Sequence, residues 1–299
     1  GSGEAMVVEA DEYDYSFLWL RPAYAIITNI DYDHPDLFPD QSTYDRAFVR
    51  FAQGMRPDGT LVVNGDDPGV QRVIDRFRSM PARVLTYGAG SGNDWRFDGR
   101  AVTGPSGAEI NLDLAVPGVH NRSNATAALV VMREMGIELP EAASALSSYR
   151  GVGRRFELKG EADGVTVIDD YAHHPQEIAA TIAAARERYP GRRIVAAFQP
   201  HTYSRTRALL DPFAQALGAA DRAIVLDIYP ARETETLGVS SEDIVRRMNP
   251  ERTVAGGTLA QAVDRLFRET RTGDVVLTLG AGDVTLVGPK LLALLEDRS

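Results

Sequence analysis

Val165-Thr166-Val167-Ile168-Asp169-Asp170-Tyr171-Ala172-His173-His174-Pro175 runs from a β-branched stretch, through two acids and two histidines, to a proline. The first four residues read as a buried strand. Pro175, whose φ is already near the helical value, opens a helix. Three further segments follow the same grammar. Residues 193–198 lead into Gln199-Pro200-His201-Thr202-Tyr203-Ser204-Arg205, residues 223–227 into Tyr229-Pro230-Ala231-Arg232-Glu233, and residues 275–279 into Gly280-Ala281-Gly282-Asp283. A shorter strand is expected at 156–159. Helical patterns intervene near 176–188, 204–218, 240–248, 258–269 and 283–296; in the second of these, Leu209, Leu210, Phe213, Ala214 and Leu217 share one face. Strands alternating with helices predict an α/β fold with a mostly parallel sheet, in which ligands meet the carboxyl ends of the strands. Three of the five histidines then gather on one rim.

Loop and cap chemistry accounts for any one of these segments alone. Two adjacent acids followed by two histidines, beside a loop carrying His201 and Arg205, point instead to a site for a metal–nucleotide and a carboxylate. The chain has 299 residues, more than one core usually fills, which predicts two domains. Its charged fraction of 25% is that of an ordinary globular protein, and no apolar run approaches the roughly 20 residues that span a bilayer. No basic leader precedes Met6, and there is no cysteine to form a disulfide or a thiolate metal site. A cytoplasmic location is the expectation. A net charge of −10 argues against nucleic acid or an anionic membrane as partner. Any anionic ligand must therefore meet a local cluster of arginines and histidines.

In the first half, Met6-Val7-Val8-Glu9, Tyr24-Ala25-Ile26-Ile27-Thr28-Asn29-Ile30 and Thr60-Leu61-Val62-Val63-Asn64 read as buried strands, with helices near 42–54 and 68–78. Six glycines between 84 and 116 predict an antiparallel patch, followed by helices over 121–135 and 140–148. Glu9 and His34 follow two of these strands and can share a divalent metal, although solvated acids and a capping histidine explain them as well. Asn121 and Asn124 lie one helical turn apart and can face one ligand, unless Asn121 is the helix N-cap. Arg154 and Arg155 follow the Gly151-Val152-Gly153 hinge, the expected domain boundary. No Gly-x-x-x-x-Gly-Lys-[Ser/Thr] phosphate loop occurs. The chain opens almost on a strand, as if further strands precede it in a longer protein.

In order and over nearly the whole chain, these residues resemble the Mur ligase family. The His173-His174 pair and Phe198-Gln199-Pro200-His201 resemble its alanine-adding branch. The resemblance implies a truncated central ATPase-type α/β domain over 1–153 and a Rossmann-like, mostly parallel α/β C-terminal domain over 154–299. It also implies an ATP-dependent ligase of peptidoglycan precursor synthesis, joining L-alanine to UDP-N-acetylmuramate through an acyl phosphate. On that footing Glu9 and His34 would hold Mg²⁺. His120, Asn121 and Asn124 would contact the adenine side of ATP, and Arg155 and Asp170 its ribose and phosphates. Tyr171, His173, His201 and Arg205 would meet the alanine and the reacting carboxylate. Thr202 departs from relatives that carry arginine there, leaving Arg205 as the cation for a carboxylate. The UDP-sugar domain and phosphate loop are missing from these residues, so the chain alone is expected to be inactive. The alternatives are a sister ligase for another amino acid or peptide, a non-catalytic ligand-binding remnant, and a metal-dependent hydrolase. Monomer and homodimer stay open.

Overall fold

The computed structural model describes Gly3 and residues 5–298. Gly1, Ser2, Glu4 and Ser299, which include most of the stretch read as lacking a basic leader, lie outside the described residues. Contacts divide the chain into two units, Gly1–Leu114 with Asn121–Ser148, and Ala115–His120 with Tyr149–Ser299.

The first unit holds a six-stranded sheet in sequence order: β1 (Tyr24–Ile27), β2 (Thr60–Asn64), β3 (Arg83–Gly88), β4 (Trp95–Asp98), β5 (Ala101–Thr103) and β6 (Glu109–Asn111). The first four strands are parallel, and antiparallel pairing begins only between β4 and β5. The patch expected over 84–116 therefore starts later, because β3 is a largely buried strand paired with β2. Helices α1 (Gln41–Gln53) and α2 (Pro68–Arg78) start at Asp40 and Asp67, whose carboxylates accept from the amides of Thr43 and Val70. Asp67 also accepts from the amide of Ile30 at 3.0 Å, tying the loop after β1 to α2. Leu61 and Val63 enter the aromatic core around Phe38, Tyr44 and Phe77, while Val62 enters a second core with Tyr87, Trp95 and Leu129. That alternation is the two-residue period of a strand. Helices α3 (Val119–Glu134) and α4 (Leu139–Ser147) supply the second core.

One expected strand is absent. Met6-Val7-Val8-Glu9 forms no ladder, and Met6 and Val7 are 89% and 96% exposed. A strand needs a neighbour to take up its backbone groups, and none of the described residues pairs with this segment.

The second unit contains β7 (Glu157–Ala162), β8 (Val165–Asp170), β9 (Ile194–Phe198), β10 (Arg222–Leu226), β11 (Thr253–Gly257) and β12 (Val275–Leu279), in the spatial order β11-β10-β9-β12-β8-β7. All pairings are parallel except β7 with β8. Helices α5 (Pro175–Arg188) and α7 (Leu210–Leu217) cover one face, with Ala196 and Phe198 pointing at them; α9 (Leu259–Glu269) and α10 (Val287–Glu296) cover the other, met by Val195 and Ala197. Chain order reverses where β12 inserts between β8 and β9, and an open α/β sheet forms its ligand crevice at such a switch point. The single helix expected over 204–218 is two, α6 (Tyr203–Ala208) and α7, broken at Leu209. Pro212 lacks the N–H that would bond back into α6. The helix expected over 240–248 contracts to α8 (Glu242–Val245), and β11 was not expected at all. Among the described residues, no helix is long and apolar enough to cross a membrane.

Candidate active site

The loops after β8, β9, β10 and β12 converge at the switch point of the second unit. Asp169, fully buried at the end of β8, accepts from the hydroxyls of Thr278 (2.6 Å) and Thr285 (2.8 Å) and pairs with Arg154 Nε at 3.3 Å. Arg154, at φ +60°, also donates to the carbonyls of Gly280 (2.7 Å) and Gly282 (3.2 Å), and its guanidinium lies 4.8 Å from the Tyr171 ring centroid. A residue outside the expected site thus ties the loop after β12 to the end of β8. Asp170 turns its carboxylate to the amides of Phe156 (2.9 Å) and Ala172 (2.8 Å). Burial pushes its carboxyl above the usual range, against the pull of those amides and of Arg155.

Tyr171, His173 and His201 follow one another around the rim, with ring centroids 5.3 and 6.0 Å apart. The Arg155 guanidinium sits 5.4 Å from the Tyr171 ring. His174 caps α5 in a box with Glu177, whose carboxylate also approaches His173 Nδ1 at 3.4 Å. His201 stacks on Tyr229 at 5.6 Å, and its Nδ1 lies 3.3 Å from Arg205 Nη1. Arg205 is only 5% exposed. A guanidinium can only donate, so in this contact Nδ1 of His201 is the acceptor. Glu233, from the loop after β10, takes the amides of Tyr203 and Ser204 and the Ser204 hydroxyl, setting the start of α6. Gln199 bonds Asp283 (2.7 Å) and the amide of Val284 (3.0 Å). Gly282 admits no side chain: a Cβ there would lie 2.5 Å from Gln199 Oε1 and 2.7 Å from the Tyr229 ring.

The expected residues of the first unit are held more loosely. Glu9 is exposed on the unpaired segment. His34, at φ +56°, places Nε2 3.4 Å from Glu12 Oε1 and 3.7 Å from Asp33 Oδ2, with the Tyr13 ring edge-on at 4.9 Å. Burial raises the Glu12 carboxyl, but the hydrogen bonds and charge of His34 and the Tyr44 hydroxyl together hold it below its usual range. Among the described residues, no three histidines, aspartates or glutamates are grouped to hold a metal. Mg²⁺ needs only one or two protein ligands when phosphate and water complete its shell. The oxygen-rich, half-exposed surroundings of His34 fit such an ion.

Helix α3 begins at Val119, so Asn121 lies inside its first turn and is not the N-cap. Asn121 and His120 are half-buried and Asn124 is exposed. Contacts assign His120 to the second unit and both asparagines to the first. Arg155 lines a cleft of about 400 Å³ within the second unit, together with Val116, Arg150, Phe156 and Tyr189.

Residues 2–132 match the Mur ligase middle domain, and residues 154–282 match the glutamate ligase domain of Mur ligases. The UDP-N-acetylmuramate–L-alanine ligase of Frankia casuarinae is 40% identical over 99% of this chain and 67% of its own length. That of Paenarthrobacter aurescens is 44% identical over 99% of this chain and 65% of its own length. Such curated relatives are longer, and the chain spans about two thirds of them. Among solved structures, the UDP-N-acetylmuramate–alanine ligase of Thermotoga maritima superimposes with a TM-score of 0.74 at 24% identity, covering 95% of this chain and 62% of that one. A second ligase of the same organism, solved in complex with ADP, gives 0.70 at 20% identity, covering 93% and 64%. At these identities the superpositions speak for the fold.

Proposed function

The chain belongs to the Mur ligase family, and we propose that it carries most of an ATP-dependent, cytoplasmic ligase joining L-alanine to UDP-N-acetylmuramate in peptidoglycan precursor synthesis. The observation that carries this reading is the second unit's rim. There two histidine rings lie 6.0 Å apart beside a buried arginine, at the switch point of a parallel sheet. The division into a middle domain to residue 153 and a C-terminal domain from 154 belongs to the same proposal.

In the proposed reaction, an oxygen of the muramoyl carboxylate attacks the γ-phosphorus of ATP, and ADP leaves. The amine of L-alanine then attacks the acyl carbon, the C–N bond forms, and inorganic phosphate departs. Phosphoryl transfer of this kind depends on positioning and on neutralising charge. Arg155 and Asp170 would meet the phosphates and ribose, and His120, Asn121 and Asn124 the adenine. Mg²⁺, held by Glu9 and His34, would neutralise phosphate charge. Arg205 would take the alanine carboxylate, since its planar fork matches two oxygens. Tyr171 and His201 would enclose the small side chain, and His173 would accept the amine proton.

The test is an amino-acid panel with the full-length enzyme. L-alanine is expected to be preferred. Glycine and serine should be rejected only partly, because one methylene is worth about 1–3 kcal/mol of discrimination. Preference for glutamate or a peptide would sink the assignment in favour of a sister ligase. The 299-residue chain alone, which has no phosphate-loop motif, is expected neither to hydrolyse nor to bind ATP tightly. UDP-N-acetylmuramate-dependent phosphate release with L-alanine would refute that.

A further inference from the structure

Glu177, the third residue of α5, holds several groups of the rim at once. Its Oε2 accepts from the amides of His173 (2.9 Å) and His174 (3.1 Å) and lies 3.4 Å from His173 Nδ1. Its Oε1 lies 3.6 Å from Arg155 Nη1. The same Nδ1 faces the carbonyl of Tyr171 at 3.0 Å. A carbonyl has no proton to give, and neither has an ionised carboxylate. Nδ1 must therefore carry the hydrogen, and Nε2 is the acceptor of the neutral ring.

Glu177 stays ionised in this setting. Burial pushes its carboxyl up, but His173, the two amides and Arg155 together hold it below its ordinary range. Beside His173 the Tyr171 ring lies edge-on at 5.3 Å and the His201 ring at 6.0 Å.

We propose that Glu177 is the positioning residue of His173, fixing the Nδ1–H tautomer and stabilising the imidazolium formed when Nε2 takes a proton from the attacking amine. As the C–N bond forms, the amine proton moves to Nε2, the ring gains one positive charge, and the carboxylate behind Nδ1 offsets it. A carboxylate behind an imidazole does the same in the Ser-His-Asp arrangement. The inference deepens the amide-forming reading and rests on it for the identity of the proton donor. The ring state itself is a property of this chain without substrate.

Imidazole ¹⁵N–¹H correlation spectra of the 299-residue chain, titrated over pH and assigned with His173→Gln, test it. The neutral His173 ring is expected as the Nδ1–H form. Glu177→Gln keeps the size of the side chain and an oxygen for the amides but removes the charge. It is expected to lower the proton affinity of His173 about ten-fold, the effect of losing one opposite charge within 4–6 Å. Glu177→Asp should retain most of that affinity. An Nε2–H ring in the parent chain, or a His173 midpoint that Glu177→Gln leaves in place, would overturn the proposal. Thermal melts of each variant confirm folding; should Glu177→Gln unfold, Glu177→Asp against the parent chain carries the same test through a smaller midpoint shift. Failure of the alanine panel would leave this result standing, and failure here would leave the panel standing.

Discussion

Each unit sets a glutamate 3.4 Å from a histidine, and the two pairs are built differently. Glu12 stands at the entry to an irregular turn, before Asp14 and Tyr15 at positive φ, and its carboxylate meets the Tyr44 hydroxyl at 3.2 Å. Glu177 sits in the first turn of a 14-residue helix, clamped by two backbone amides. One pair is held by side chains, His34 from a loop and Tyr44 from α1, the other by backbone amides at the entry to a helix packed on the sheet. If Mg²⁺ binds at His34 as proposed, oxygens that can adjust around it would serve it. The proton-accepting role proposed for His173 would need a fixed carboxylate behind its ring, and the two amides fix Glu177 at no side-chain entropy cost.

The largest effect that would break this contrast is expected from Asp169→Ala. It removes a fully buried carboxylate shared by the Thr278 and Thr285 hydroxyls and Arg154, and the cost should be about 3 kcal/mol. Both tryptophans, Trp19 and Trp95, belong to the first unit, so denaturant unfolding followed by fluorescence should stay in place while the circular dichroism transition moves. A shift of both probes together would mean that the units are not independent. Gly282→Ala comes next, at about 1–3 kcal/mol, from forcing the added methyl against Gln199 and the Tyr229 ring. It should also disturb the His201–Tyr229 stack, read as a changed Tyr229 resonance.

The acid limb sharpens the comparison. Glu12 and Glu177 both have folded-state carboxyls held below the ordinary 4.5, so each adds stability above that value and loses it as pH falls further. Glu12→Gln and Glu177→Gln should each flatten the loss of stability below about pH 4.5, Glu177→Gln more so. Equal slopes would count against the difference in how the pairs are held. The smallest effect is expected for Val7→Ser, within about 0.5 kcal/mol, because the side chain is already in solvent.

Strands β2 and β12 and helix α2 were legible to the residue, since each joins a clean hydrophobic pattern to a clear boundary residue. The rim was legible too, because a parallel sheet places whatever follows its strands on one edge. β11 was hidden by Gly256-Gly257, which reads as loop although its first residues pair with β10. Met6–Glu9 failed in the opposite sense: its side chains favour a strand, but pairing depends on a partner that local sequence does not report. Arg154, Gln199 and Glu233 stood in the quoted segments, but their contacts were not legible because their partners lie up to 128 residues away. Glu177 left a local signal, a glutamate three residues after a helix-capping position.

The place of β12 has a consequence for synthesis of the protein. Among the described strands it comes last in sequence, yet it lies between β8 and β9, and its Thr278 reaches across 109 residues to Asp169. Until a ribosome has released that final strand, β8 and β9 lack their shared neighbour, and the acid at the heart of the rim lacks its hydroxyl. A nascent or prematurely terminated chain therefore cannot assemble this rim, whatever its earlier parts have already folded into.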